Sequence, residues 1–351
     1  MKRSLLSDLA TSLHRKIGID LGAESVRMWV SGGQARREPI LFSEASCLAV
    51  DSRTQRVLAV GNEAAVMTGR VAQQIEVRYP FQDGAVYDVE SAVALLRVLL
   101  QQKAPSALVL NTTIMASVPA SATLAERELV TKVLYNLGAQ EAFTIAQPLA
   151  AAIGAGVPIA DASGSFLLQM GHSSIEGVVI SLGSLVAAEP STKAGRYILG
   201  KIQQSLKKQH GLRVGLQTAR RLLVTVARAF PDTKTSQLIT GQDFQTGSPK
   251  EVEVTAADLA LPVEQVLTEC TQLLQKLLSR VQPELTVDVI DKGILLAGGL
   301  AQLEGIESYL TQKMGIPAAV VEDPETAVIR GIGTALTHLD LFKQSLGYQV
   351  E

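Results

Sequence analysis

One shape occurs twice along this chain. In Lys16–Val30 (KIGIDLGAESVRMWV), Ile17, Ile19 and Leu21 alternate with Gly18, Asp20 and Gly22, and Val26, Met28 and Val30 resume the alternation after a short polar break. Alternation of period two around a glycine-containing break specifies two strands joined by a tight bend. Phe166–Ile180 (FLLQMGHSSIEGVVI) repeats it: aligned on the bend, Asp20 faces Gln169, Gly22 faces Gly171, Ser25 faces Ser174 and Val26 faces Ile175. A hairpin used twice implies two related halves, each aiming a bend at something between them.

Such a bend has a chemical use. Glycine lets the backbone approach a ligand closely, so consecutive N–H groups can converge on an anion such as phosphate. A carboxylate beside it, here Asp20, can hold a hydrated Mg²⁺, a hard cation that keeps most of its waters. Either copy alone reads more readily as an ordinary hairpin whose Asp and Gly satisfy turn chemistry. The matched pair favours a phosphate clamp.

The rest of the chain fits two domains built on aliphatic cores: it has 351 residues, 47% hydrophobic but only 4% aromatic,. A net charge of −2 offers no electrostatic footprint for nucleic acid,. Cys47 and Cys270 stand alone in apolar surroundings and read as free thiols in a reducing cytoplasm,. There is no apolar run long enough to span a bilayer, and Ser7, Asp8, Thr11 and Ser12 interrupt any secretory core at the start,. Met1–Lys16 puts Leu5, Leu6, Leu9 and Leu13 on one helical face with basic residues at both ends. That segment can lie in a membrane interface, or dock on the first domain, or form a tail. The apolar tip Ala107-Leu108-Val109-Leu110 is either a strand start or an exposed patch,.

In order, strands are expected at Ile40–Val50, Arg56–Val60, Ile114–Pro119 and Phe143–Ile145, and helices at Glu63–Gly69, Val89–Gln101 and Ser121–Leu137. Thr123 followed three residues later by Glu126 marks a helix start,. Arg78–Gly84 reads as a loop, and Gln147–Gly154 opens a small-residue helix with Pro148 well placed near its start,. In the second half, a strand Leu185–Ala188 precedes helices Gly195–Gln209 and Leu216–Phe230. Thr233–Val254 reads as a small strand-like subdomain. Then come a long helix Leu261–Gln282, a strand Gly293–Ala297 ending in Gly298-Gly299, helix Leu303–Met314, strand Ala318–Val321 and helix Glu325–Leu339. Strands alternating with helices make the class α/β.

These pieces, in this order, resemble the bacterial actins of the MreB branch, in the superfamily of actin, sugar kinases and chaperone ATPases. The resemblance runs through Ile17–Gly22, Ser117-Val118-Pro119-Ala120, Gln147–Gly156, Gly298-Gly299 and Glu322-Asp323-Pro324 with Ala327–Gly333. Arg78-Tyr79-Pro80 with Gln82-Asp83-Gly84, Thr192–Gly195 with Tyr197, and Gln282-Pro283-Glu284 look closer to MamK-like relatives.

The resemblance implies an actin/chaperone-ATPase fold: two related halves, each a mixed sheet flanked by helices, with ATP and Mg²⁺ in a cleft between them. It divides the chain into an amphipathic segment (1–16), a first domain (17–155) and a second (156–351), whose last helix, about 325–342, packs back on the first. Asp20, Gly22, Ala23, Ser25, Gly171, His172, Ser173, Gly195, Gly298 and Gly299 fall at its nucleotide positions, Asp20 at the metal and Gln147 at the catalytic position. Head-to-tail filaments of the protein itself are implied. So is peripheral attachment to the inner membrane from the cytoplasm, through Leu5, Leu6, Leu9 and Leu13 or Leu108, Val109 and Leu110.

The nucleotide positions depart from the family. Ala23 replaces Thr, Gln169-Met170-Gly171-His172-Ser173-Ser174 replaces Asp-x-Gly-Gly-Gly-Thr, and Leu300 replaces a third glycine. Leu223 and Thr225 fall where a Lys and a Glu reach adenosine, and Ala146-Gln147 where an acidic pair precedes the proline. The expectation is weakened ATP binding in a structural protein. The alternatives are a pseudo-ATPase that caps, copolymerises with or scaffolds a true bacterial actin, and an active Mg-ATPase with filament turnover. Nothing resembles the sugar site and catalytic Asp of a sugar kinase.

Overall fold

A computed structural model describes residues 15–32, 38–82, 84–105, 107 and 111–340. The chain forms two compact units, Met1–Ile159 with Thr326–Glu351, and Ala160–Glu325.

The strands of the first unit are β1 (Arg15–Leu21), β2 (Ser25–Val30), β3 (Ile40–Ala45), β4 (Leu48–Asp51), β5 (Val57–Val60), β6 (Ile75–Arg78), β7 (Phe81–Gln82), β8 (Ala85–Val86), β9 (Thr112–Val118) and β10 (Glu141–Ala146). Its main sheet runs β3-β2-β1-β9-β10, antiparallel from β3 to β1 and parallel from β1 to β10. A strand covered by helices on both faces is buried throughout, as in a parallel sheet; all of β9 is buried, including Thr112, Thr113 and Ser117. Ile17, Ile19 and Met28 pack with Leu95, Leu96, Leu99 and Leu134 of the helices Val89–Lys103 and Leu124–Leu137. The second of these helices starts where its sequence says. Thr123 accepts from the Glu126 amide and the Glu126 carboxylate accepts from the Thr123 amide, a reciprocal cap,.

The helix Ala327–Thr337 covers the other face of β1, where Gly18 lies against Ile332 and the Lys16 ammonium donates to the Leu336 carbonyl at 2.7 Å. It crosses helix Gln147–Gly154 backbone to backbone. A Cβ on Gly154 would lie 1.9 Å from the Ala327 carbonyl oxygen, and one on Gly331 would lie 1.7 Å from that of Ala150.

The second unit contains β11 (Ser165–Met170), β12 (Ile175–Ser181), β13 (Ser184–Ser191), β14 (Leu212–Arg213), β15 (Ser236–Asp243), β16 (Pro249–Thr255), β17 (Ile294–Ala297) and β18 (Ala318–Val320). Its main sheet runs β13-β12-β11-β17-β18 with the same succession of antiparallel and parallel neighbours. The two halves are therefore alike in topology as well as in hairpin. A separate sheet, β14-β15-β16, accounts for the strand-like subdomain. Phe166 and Leu168 pack with Ile198 of helix Gly195–His210 and with Leu267 and Leu274 of helix Ala260–Leu278.

Several details differ from the sequence expectation, three of them instructive. The helix expected over Leu216–Phe230 stops at Thr225, because Arg228 pairs with Glu304 and the Ala229 amide donates to the Glu304 carbonyl, drawing the chain into a bridge. A helix at Pro283–Lys292 follows the long one, which itself ends at Leu278. The expected loop at Arg78–Gly84 holds the end of β6 and the β7–β8 ribbon, anchored by buried Phe81. No helix among the described residues is long and apolar enough to cross a membrane.

Candidate functional site

The first bend is closed by the pair Leu21:Val26, which sets Asp20 directly opposite Arg27. Directly opposed residues of antiparallel strands share a face. Asp20 is only 5% exposed. One carboxylate oxygen accepts from the Ser117 hydroxyl at 2.8 Å, and the other lies 3.5 Å from the Arg27 guanidinium. Ser117, on the parallel neighbour β9, accepts in turn from the Leu21 amide at 3.0 Å and from the Gln147 amide group at 3.4 Å. That uses the one donor and two acceptor positions of a hydroxyl. Three strands and the start of a helix thus converge on one carboxylate. Burial pushes the Asp20 carboxyl above the usual range, against the charge of Arg27 and the Ser117 hydrogen bond, which pull it down,.

Gly22 permits the bend itself, since a Cβ there would lie 2.5 Å from the Ser25 carbonyl oxygen. The Ser46 hydroxyl donates to the Gly22 carbonyl. Ala23 and Ser25 are half-buried at its rim. Of the residues singled out in sequence, Asp20, Gly22, Ala23, Ser25 and Gln147 gather in this unit.

The second bend has the same closure, Met170:Ile175, which sets Gln169 opposite Glu176. The Gly171 amide donates to the Ser174 carbonyl at 2.8 Å. The bend is bound to helix Gly195–His210: the Gly195 amide donates to the Gly171 carbonyl at 3.1 Å and the Arg196 amide to that of His172 at 2.7 Å. A Cβ on Gly195 would lie 2.9 Å from the His172 Cα, so the helix starts hard against the bend. Gly298 abuts the base of the bend with φ of +90°, and a Cβ there would lie 2.4 Å from the Met170 carbonyl oxygen. Gly171, His172, Ser173, Gly195 and Gly298 therefore gather in the second unit, with Gly299 exposed next to them near Glu325. Leu223 packs on the core, and Thr225 donates to the Arg221 carbonyl.

Leu5, Leu6, Leu9, Leu13, Leu108, Val109 and Leu110 lie outside the described residues. Sequence reasoning passed over Arg27 and assigned no role to Ser117. The signal for Arg27 was available, because the Leu21:Val26 closure fixes what stands opposite Asp20.

The second bend fits a phosphate. The Ser173 hydroxyl, in a residue 9% exposed, finds no hydrogen-bond partner among the described residues. A buried hydroxyl without a partner is costly, and an anion's oxygen would accept from it. At the first bend both oxygens of Asp20 are engaged, one by the Ser117 hydroxyl and one by the Arg27 guanidinium.

Comparison with known proteins places this geometry. The chain is similar in structure to MreB5 of Spiroplasma citri bound to ADP (TM-score 0.87, 24% identity, covering 95% of this chain and 99% of that one). It is also similar to a chain of the MamK double helical filament (TM-score 0.76, 21% identity, 93% and 99%). Paired sheets of one topology, each with its bend, define an actin-like fold. The family model for MreB/Mbl protein matches residues 14–344, and the chain belongs to that family. Among its relatives, the cell shape-determining protein Mbl of Bacillus subtilis is 30% identical over 327 residues, covering 93% of this chain and 97% of Mbl. The cell shape-determining protein MreB of Escherichia coli is 29% identical over 331 residues, covering 93% and 94%.

Proposed function

We propose that this chain is an actin-like cytoskeletal protein whose copies assemble into membrane-associated filaments that organise cell shape or an internal structure, with nucleotide binding weakened. The observation that carries this reading is the match along 14–344 to a family whose relatives determine cell shape. The likeness to a filament of MamK supports self-association.

A nucleotide phosphate would lie on the bend Gly171–Ser174, the Ser173 hydroxyl donating to it. A bound ATP would supply a phosphoanhydride bond. This chain's own residues orient it, but the amide of Gln147 cannot take a proton from water, and a general base typically contributes about 10²–10⁴-fold. Leu223 and Thr225 offer the adenosine end no charged side chain. These features support a filament whose assembly is not governed by rapid hydrolysis. They favour, as a second reading, a pseudo-ATPase that caps, copolymerises with or scaffolds a true bacterial actin.

Pelleting and negative-stain microscopy, with and without ATP, test the reading. Filaments in both conditions, with phosphate release at background, are expected. A protein that stays monomeric throughout would favour the capping role, and sustained phosphate release would favour a working ATPase.

A further inference from the structure

The connection between β12 and β13 carries the wrong residue for its own geometry. Ser181 pairs with Ser184, so the loop is Leu182 and Gly183 alone, at φ of +50° and +75°. A two-residue hairpin loop with both residues at positive φ is a type I′ turn, whose first position favours Asn, Asp or Gly. A bulky side chain there is an outlier, because its Cβ crowds the backbone. Burial does not compensate, since Leu182 is 66% exposed. The backbone beneath it is tied down: the Leu182 amide donates to the Asp161 carbonyl at 2.9 Å, and the Ser181 hydroxyl to that of Ala162 at 2.7 Å. Strain held in place by its surroundings collects at sites of function.

The apolar surface continues along β13, an edge strand among the described residues. Its exposed positions are Ser184, Val186, Ala188 and Pro190, none of them charged, and Val186 is 50% exposed. The strand's one charge, Glu189, is buried and paired with Lys276 and Arg280.

We propose that the Leu182–Gly183 tip is a joint between copies of this chain, the Leu182 side chain being buried against the next subunit. The proposal rests on the self-assembly reading above, which the likeness to a MamK filament supports, and goes further, to the residue that makes the contact. The chemistry of the tip suits a second protein surface. Residues 181–188 hold no Lys or Arg with which to meet anionic lipid or nucleic acid,. A side chain on a fixed stem loses little freedom when it docks.

Leu182→Asn in the full chain separates assembly from folding. It makes the loop Asn-Gly, the most favoured type I′ pair, while removing the apolar contact. Thermal unfolding of the unassembled variant is expected at the unmodified midpoint or about 1–3 °C above it. Its critical concentration for pelleting should rise about tenfold or more, whereas Leu182→Met should pellet like the unmodified chain. If the Asn variant pellets at the unmodified concentration, the joint falls and the self-assembly reading stands. If it melts lower, Leu182 serves the fold and the proposal falls. If the unmodified chain never pellets, both fall. A second measurement uses accessibility. Cys47 and Cys270 are buried, so Leu182→Cys puts a reactive thiol at the tip,. Maleimide labelling of the pelleted protein should be about tenfold or more slower than that of the monomer, and equal rates would overturn the proposal.

Discussion

Asp20 and Arg27 form a buried ion pair across the first hairpin. Removing one partner of a buried pair leaves a charge that water cannot reach, at about 3 kcal/mol or more. Arg27→Ala is expected to destabilise the protein on that scale, with a dependence on pH whose sign follows from burial. The Asp20 carboxyl lies above its ordinary 3.8 in the folded chain. Its contribution is therefore full below that value and is lost as pH rises through the folded one. Taking away Arg27 removes a charge that pulls the folded value down, so the deficit should grow with pH. Urea unfolding of both proteins at about pH 5 and about pH 8 checks this, and a deficit equal at the two would contradict it. At this scale the sequence was half legible. Asp20 and the glycines announce themselves by type and spacing. Ser117, from a strand distant in sequence, becomes Asp20's partner only when β9 lies parallel to β1.

At the scale of elements, the tightest fit is the crossing of Gln147–Gly154 with Ala327–Thr337. Each helix gives up a side chain so that the other's backbone can come within contact. Gly331→Ala is expected to lower stability by about 3 kcal/mol, since overpacking against rigid backbone cannot be relieved by a rotamer change. A thermal melt unchanged by that substitution would show that the helices can move apart freely. The small-residue runs betrayed close packing in the sequence, but not which helix packs on which. Other elements were hidden for a different reason. Pro283–Lys292 buries Val289 but leaves Val287 and Ile290 about half exposed, so no clean apolar stripe marks it,. The helix from Leu216 has the composition to continue beyond Thr225, and loses to a bridge with Glu304 that local pattern cannot reveal,.

For the whole molecule, the repeated hairpin was the legible fact, and the shared strand order of the two sheets is its consequence. What it does not reveal is attachment. Leu5, Leu6, Leu9 and Leu13, spaced in the sequence as an amphipathic segment, are proposed to attach the protein to a membrane,. Flotation of the protein lacking Met1–Leu13 on anionic liposomes should lose most of the bound fraction. Undiminished flotation would shift the role to Leu108, Val109 and Leu110.

One feature of the chain path bears on how such a protein is made. The segment Ala160–Glu325 is continuous, while its neighbour is assembled from residues on both sides of it. During synthesis the middle segment can complete its sheet as soon as it emerges, in keeping with domains folding as units. The earlier-made part must wait, with one face of β1 bare, until the ribosome has passed Thr337. First translated is last finished, and a chain cut short before Ala327 would spare the later half while stripping the earlier one of its cover.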